Sequence, residues 1–492
     1  MAENGQSSKL NPTARIAKNS LVQLVAGVLN KLLGVALVIY AARQLGTNGF
    51  GQYAYVLSLQ AIFYIIADFG LGTLTTRDLS RDPDQDSRYF TNVLAVRVLL
   101  SLFAGGGMVA AAWLLGQPPA IVLLSAVAAL SLMFTANVDS ASAVFYAHQR
   151  MEIPSTVSVV VTTLRVTASL GALAAGAGVA ALIWINTLSA VVHLIILAGI
   201  LFYFIRPVFS LDPAFWRTLL REAAPLALAN LFSVIYFRVD TVMLGSFRGQ
   251  DAVGLYNAAY RLLELTLILP AYYGGAVFPV ISASFGANPQ RFQLIYRRSM
   301  KYMFVLSLPL ALGTVALADR FIDVLYGAQY LASVPVLMVL MWTLVLIAVN
   351  SINAPYLIAM GRQRIVTVLV LAGMLFNVLA NLWAIPRYGM LGAAWTTLAS
   401  EVLTLAIFTG TLWRPLSLTP SLLRHLLRPA LAGAAMYGLL MLIHAWELGF
   451  QILLAGAAYF CLLWVFRAFD EVDQELFSRV LRPTQPGNVK LT

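Results

Sequence analysis

The segment SLDPAFWRTLLR at residues 210–221 returns 207 residues later as SLTPSLLRHLLR at residues 417–428. Each copy follows an Arg-Pro pair, Arg206-Pro207 and Arg414-Pro415. Both read as the start of an amphipathic helix, with Asp212 or Thr419 as N-cap and proline at the first helical position, where a missing N–H leaves no bond unmade. The apolar face of each would lie in the membrane interface, with its arginines in water. A weaker pair, Phe50-Gly51-x-Tyr53 and Val253-Gly254-x-Tyr256, recurs at an offset of 203. Six apolar segments lie within one period. An even number keeps both copies in one orientation, so the repeat is parallel, about an axis along the membrane normal.

The composition says what these repeats are built from. Of 492 residues, 60% are hydrophobic and 11% charged, and the mean hydropathy is +0.81. Soluble domains carry about 25% charged residues. The chain therefore reads as an all-α polytopic membrane protein, with about 14 apolar segments of the roughly 20 residues needed for one crossing. The composition excludes a soluble enzyme, a nucleic-acid-binding domain and a disordered chain. The expected organisation is an N-terminal lobe at 1–205 (helices 1–6), an amphipathic linker helix at 206–221 and a C-terminal lobe at 222–413 (helices 7–12). A second linker at 414–427, a helix pair at 428–467 and a cytoplasmic tail at 468–492 follow. The first span is too long for the apolar core of a signal peptide. The one cysteine, Cys461, allows neither an internal disulfide nor a cysteine metal site.

Lysine and arginine set the orientation. With the N-terminus inside, 23 of the 32 basic residues fall in inner segments and 4, Arg43, Arg248, Arg320 and Arg387, in outer loops. This bias predicts a multi-pass protein of the cell inner (plasma) membrane with both termini cytoplasmic. It accounts for the net charge of +11 without nucleic acid.

The other five basic residues, Lys31, Arg97, Arg165, Arg238 and Arg261, fall inside spans, where a charge costs roughly 2.5–3.5 kcal/mol on insertion scales. Together they could form a basic path through both leaflets, suited to a diphosphate carried on a lipid. The competing reading is structural pairing. Arg261 and Glu264 are i,i+3 on one helix face, Arg238 and Asp240 are close in sequence, and Asp139 or Glu401 could neutralise Lys31 or another base. Asn377 and Asn381, i,i+4 on the eleventh span, with Thr396, Thr397 and Ser400 on the twelfth and Asp240 on the seventh, offer oxygens for a small hard cation, or ordinary interhelical hydrogen bonds. Six prolines, Pro225, Pro270, Pro279, Pro309, Pro335 and Pro355, punctuate the seventh to tenth spans. No P-loop, GxSxG or HExxH motif is present. Gly176-x-Gly178-x-x-Ala181 fits a dinucleotide pattern but follows no strand. The four histidines are scattered. Transport is favoured over catalysis, and no cofactor is expected.

At this point the residues resemble a family. Asp68-Phe-Gly-Leu-Gly72 continuing to Arg77-Asp-Leu-Ser-Arg81, Phe50-Gly51-Gln-Tyr53, Leu325-Tyr-Gly327 through Tyr330, and Ile385 through Ala394 resemble segments of polysaccharide transporters of the O-antigen flippase type, within the multidrug/oligosaccharidyl-lipid/polysaccharide exporter superfamily. The resemblance runs from about residue 15 to 480. It implies two lobes around a central cavity, alternating access, and a polyprenyl-diphosphate-linked oligosaccharide moved from the inner to the outer leaflet for cell-surface polysaccharide synthesis. The five basic residues would meet the diphosphate and sugars, supported by the acids Asp68, Asp139, Glu264 and Glu401. The implied partners are the lipid-linked oligosaccharide, membrane lipids and glycan-assembly enzymes, and the implied state a monomer. Asn30-Lys31-Leu-Leu-Gly34 is similar to the first-helix segment of the related lipid II flippases, which places Lys31 at a cavity arginine, while Leu37 stands where those proteins have a further one. Their sodium site corresponds to Asp240, Asn377, Asn381 and Thr397, so the resemblance implies Na+ or H+ as coupling ion. A cation-coupled multidrug antiporter is the runner-up, and a polytopic enzyme of glycan assembly stands third.

Overall fold

The structure, a computed structural model, describes residues 12–82, 85–204, 210–416, 421–470 and 473. These are almost entirely helical and include no strand, the outcome hydrocarbon imposes on a chain whose every backbone N–H and C=O must be satisfied within its own segment. In chain order the helices are α1 (Pro12–Asp68), α2 (Leu71–Leu79), α3 (Asp86–Leu114), α4 (Pro119–Ala147), α5 (Glu152–Ala174), α6 (Val179–Phe204), α7 (Pro213–Phe247), α8 (Gln250–Thr266), α9 (Ile268–Ser284), α10 (Pro289–Ala316), α11 (Ala318–Tyr326), α12 (Val334–Ala359), α13 (Gln363–Trp413), α14 (Ser421–Leu442) and α15 (Leu448–Val465). A 3-10 turn, Ala328–Ser333, precedes α12.

Eleven helical runs among the described residues are long and apolar enough to cross a membrane. Two of them, Lys18–Leu79 of 62 residues and Gln363–Trp413 of 51, far exceed one crossing, since a straight helix of 51 residues spans about 75 Å and the hydrocarbon about 30 Å. Both break at a glycine with positive φ, Gly46 (φ 67°, ψ −178°) and Gly389 (φ 58°, ψ −136°), backbone regions that a side chain's Cβ disfavours. Each run therefore supplies two segments. Leu426–Leu442 is a shorter apolar helix. Gly176, in the rejected dinucleotide pattern, turns the chain between α5 and α6 with φ 82°.

Packing divides the chain into two compact units, one of residues up to 258 with 325–333 and 370–396, the other of 259–324, 334–369 and 397 onward. The first unit holds the pair that recurs at an offset of 203. A Cβ on Gly51 would overlap the carbonyl of Gln250, and a Cβ on Gly254 would overlap the carbonyl of Thr47. Gln250 lies 203 residues after Thr47, so the contact is reciprocal. Thr47 Oγ1 and Asn48 Nδ2 both donate to the Asp251 carboxylate, at 2.5 and 2.8 Å. Phe50 meets the Tyr330 ring edge-on at 6.2 Å, and the Tyr330 hydroxyl donates to the Ala42 carbonyl at 2.9 Å.

The four arginines expected in outer loops all donate to backbone carbonyls. Arg43 donates to Leu325 (2.8 Å), Arg248 to Ile385 (3.2 Å) and Pro386 (2.5 Å), Arg320 to Trp446 (2.5 Å) and Arg387 to Trp383 (3.0 Å). Three of these arginines tie separate helices and turns together, and the fourth, Arg387, closes the Trp383 carbonyl one turn back in α13.

The linker at 206–221 departs from expectation. From Pro213 it is continuous with the seventh span as α7, with Pro225 inside the helix. Its apolar face is covered by protein rather than lipid: Leu219 and Ala223 are buried with Leu71, Leu74, Val93 and Val96. Asn92 on α3 anchors it, with Oδ1 accepting from the Asp212 backbone N–H (2.8 Å) and the Trp216 indole N–H (2.7 Å). The expected cap is present, as Asp212 accepts from the Phe215 N–H at 3.1 Å. Arg88, with that backbone bond, holds the Asp212 carboxyl below the usual carboxylate range. The second linker's cap, Thr419, lies outside the described residues.

In the second unit α14 and α15 pack on α10: Ala432, Met436, Leu440, Tyr459 and Leu463 are buried with Val305 and Ala316. The Tyr459 hydroxyl donates to the Val305 carbonyl at 2.9 Å. Lys301 on α10 holds Asp473, beyond α15, at 2.5 Å, with both side chains almost fully buried.

Replacing Gly51 or Gly254 by alanine should destabilise the protein by about 1–3 kcal/mol through overpacking against backbone. Gly34→Ala, whose Cβ meets open space, should not. Melting curves of the purified protein followed by tryptophan fluorescence decide it; equal midpoints for all three variants would contradict the close helix approach.

Candidate functional site

Three side chains on one face of α1, Gln60, Tyr64 and Asp68, follow each other at i, i+4 and i+8. They meet a matching face of α4. Gln60 donates to Ser131 Oγ and Tyr64 to an oxygen of Asp139. Between the helices Arg97 enters from α3 with no exposed surface. It pairs with Asp68 Oδ1 and donates through Nη1 to the Ala136 carbonyl (2.5 Å) and Ser140 Oγ (2.7 Å). Arg97, expected to meet a ligand, is instead consumed by the packing of α1, α3 and α4. The reason is dielectric: an unpaired guanidinium in hydrocarbon costs several kcal/mol, and this pocket supplies a carboxylate and two further acceptors.

The other intramembrane bases divide. Arg261, in the second unit, pairs with Glu264 Oε2 at 2.6 Å, the i,i+3 contact its spacing suggests. Arg165 on α5 is half-buried and, among the described residues, reaches the neutral Asn186 Oδ1 at 3.4 Å. Lys31 on α1 is exposed, beside Asn30, which donates to Ser158 Oγ on α5 at 2.9 Å. Among the described residues neither Lys31 nor Arg165 has a carboxylate in ion-pair reach. Arg238 is half-buried on α7.

The acids also depart from expectation. Asp139 takes the Tyr64 hydroxyl rather than Lys31. Glu401, in the second unit, accepts from Asn350 Nδ2 at 2.7 Å, in a network that continues through Asn353 to the Tyr296 hydroxyl. Buried amides serve where a base was expected.

Three residues of the expected cation set, Asp240, Asn377 and Asn381, lie together. Asp240, Asn377 and Asn381 are almost fully buried. Asn381 Nδ2 donates to Asp240 Oδ1 (2.7 Å) and Asn377 Oδ1 (3.1 Å), while Tyr256 donates to Asp240 Oδ2 (2.9 Å). Thr396 donates to Asn381 Oδ1. Thr397 is itself buried and belongs to the second unit. One carboxylate with neutral oxygens fits a monovalent cation, given one change: the Asn381 amide must rotate so that its oxygen, rather than its N–H group, faces Asp240 and Asn377. Among the described residues, no cluster of three or more His, Cys, Asp or Glu could hold a metal.

Sequence reasoning missed Tyr64, Ser140 and the role of Tyr256. The i,i+4 spacing of Tyr64 with Asp68 was a usable signal.

Residues 16–285 match the family model described as polysaccharide biosynthesis protein, and 225–383 match the MatE model. The probable flippase AglR of Haloferax volcanii is 26% identical over 95% of this chain and 100% of its own length. The probable low-salt glycan biosynthesis flippase Agl15 of the same organism is 22% identical over 78% of this chain and 81% of its own. In fold the chain is similar to the lipid II flippase MurJ in its inward closed conformation, with a TM-score of 0.74 at 14% identity over 94% of this chain and 99% of that one.

Removing one partner of a buried pair costs about 3–5 kcal/mol. Arg97→Ala should lose about that much stability to chemical unfolding in detergent, and joint replacement of Arg97 and Asp68 by Met and Leu should recover most of it. Lys31→Ala should stay within about 0.5 kcal/mol. Equal losses for Arg97→Ala and Lys31→Ala would contradict the division between paired and unpaired bases.

Proposed function

The chain belongs to the polysaccharide biosynthesis protein family, and from that premise we propose that it is a flippase, carrying a polyprenyl-diphosphate-linked oligosaccharide from the inner to the outer leaflet for cell-surface polysaccharide synthesis. The observation that carries this reading is the division of membrane cations. Arg97 and Arg261 are each neutralised by a carboxylate, whereas Lys31 and Arg165 have none among the described residues. A cation at membrane depth without an anion is costly unless a ligand supplies one. A diphosphate does so: the planar fork of Arg165 can take two of its oxygens, and Lys31 gives a compact point charge. The lipid tail stays in the bilayer while the polar head crosses. No covalent step is involved; the residues bind, neutralise and release.

Alternating access then needs a bias. One charge crossing 100 mV is worth about 2.3 kcal/mol, so a cation gradient or the membrane potential suffices. Asp240, Asn377 and Asn381 would hold a monovalent cation, which neutralises the Asp240 carboxylate in one half of the cycle. The charge bias supports a plasma (inner) membrane location with cytoplasmic termini. The protein works as a monomer, receiving its cargo from glycan-assembly enzymes. The MatE match over 225–383 favours a second reading, a cation-coupled multidrug antiporter.

In proteoliposomes a fluorescent polyprenyl-diphosphate oligosaccharide should cross between leaflets, faster with an imposed sodium or proton gradient. Lys31→Ala and Arg165→Ala should each slow it about tenfold or more, the value of one charge-assisted contact of about 1.4 kcal/mol or more. A still lipid with accumulation of a cationic dye would replace the flippase by the antiporter.

A further inference from the structure

We propose that Asp139 is a proton-binding site, taking up and releasing one proton in each transport cycle. The proposal rests on the transporter reading and adds a second ion-handling site to it, remote in sequence from Asp240.

Charge arithmetic motivates it. The cluster of α1, α3 and α4 contains two carboxyl groups, Asp68 and Asp139, and one guanidinium, Arg97. Arg97 is committed to Asp68. Asp139 is left with a neutral hydroxyl, that of Tyr64. The groups acting on Asp139 electrostatically are Arg97 from α3 with Tyr64 and Asp68 from α1, and Tyr146 lies near it on α4 itself. Among the described residues no second cation pairs with Asp139 from the other helices packed on α4. Arg77 of α2 pairs with Asp78 and Glu222, Arg165 of α5 reaches Asn186, and His193 is the basic titratable group of α6. Two carboxylates beside one cation at membrane depth leave one negative charge in excess, and a proton on Asp139, the carboxyl without an ion pair, relieves it. A metal ion is disfavoured, because the Tyr64 hydroxyl hydrogen points at Asp139 and the Arg97 charge stands alongside.

Two further observations bear on how the proton would exchange. Asp68 and Asp139 each keep part of their surface uncovered by protein, 18% for the Asp68 side chain. Arg97 also retains one buried N–H, on Nε, without an acceptor. That donor is what a second carboxylate would take up. With Asp139 protonated, Arg97 serves Asp68 alone. With the proton returned to water, the Asp139 carboxylate draws the guanidinium toward α4, and α1, α3 and α4 re-pack. The proton arrives from water on one side and leaves to water on the other.

The test uses the full chain in lipid bilayers, with infrared difference spectra across a pH titration. The wild type should show a protonated-carboxyl stretching band that rises as pH falls and is absent from Asp139→Asn. Asp68→Asn should move this titration to lower pH, because Asp139 then inherits Arg97. Asp139→Glu should retain the band and controls for folding. In the flipping assay the ratio of rates with and without a pH gradient should exceed one for the wild type and fall to one for Asp139→Asn. A band that survives in Asp139→Asn overturns the site. A lost band with gradient stimulation intact overturns its part in the cycle. If the wild type moves no lipid-linked oligosaccharide at all, the flippase reading fails, and the band together with its shift in Asp68→Asn still decides whether Asp139 binds the proton.

Discussion

A charge in hydrocarbon must be met by an opposite charge or by several hydrogen-bond partners, and the Arg97–Asp68 pair is where this chain meets that demand most fully. The guanidinium joins α3 to α1 through the carboxylate and to α4 through Ala136 and Ser140. Three helices are thereby held at a fixed rotation. An isolated buried pair is weak support for stability compared with apolar packing, but breaking it is expensive, so it specifies which helix faces meet. The rest of the first unit follows that registration. Tyr64 falls opposite Asp139 and Gln60 opposite Ser131 because they lie one and two turns along the same face.

The same constraint separates structure from function. Bases that already own an acid, Arg97 and Arg261, shape helices. Lys31 and Arg165, which have none among the described residues, are where the proposed anionic cargo would gain most. The outer arginines show a third use, in which a guanidinium closes orphan carbonyls at helix ends. Identical residue types thus serve three purposes, and what distinguishes them is the partner each one finds.

The helices and their approximate ends were legible in the sequence because the bilayer leaves the backbone little else to form. The Phe-Gly-x-Tyr and Val-Gly-x-Tyr pair was legible too, and its glycines meet where a side chain would overlap backbone. Three features were not. The apolar face of the linker at 210–221 looks the same whether lipid or protein covers it, and Leu71, Leu74 and Val93 cover it. Gly46 and Gly389 join spans so tightly that helix continues almost to the turn. The partners of Asp139 and Glu401 are a tyrosine and an asparagine, residue types too common in membrane helices to be singled out by spacing.

The central claim is that paired bases hold the fold while unpaired bases meet the cargo. A cryo-electron microscopy structure with a polyprenyl diphosphate bound would test it most directly. The account predicts diphosphate density within hydrogen-bond reach of Lys31 or Arg165, with Arg97 still on Asp68. Density against Arg97, with Asp68 displaced and Lys31 and Arg165 facing only lipid, would contradict it.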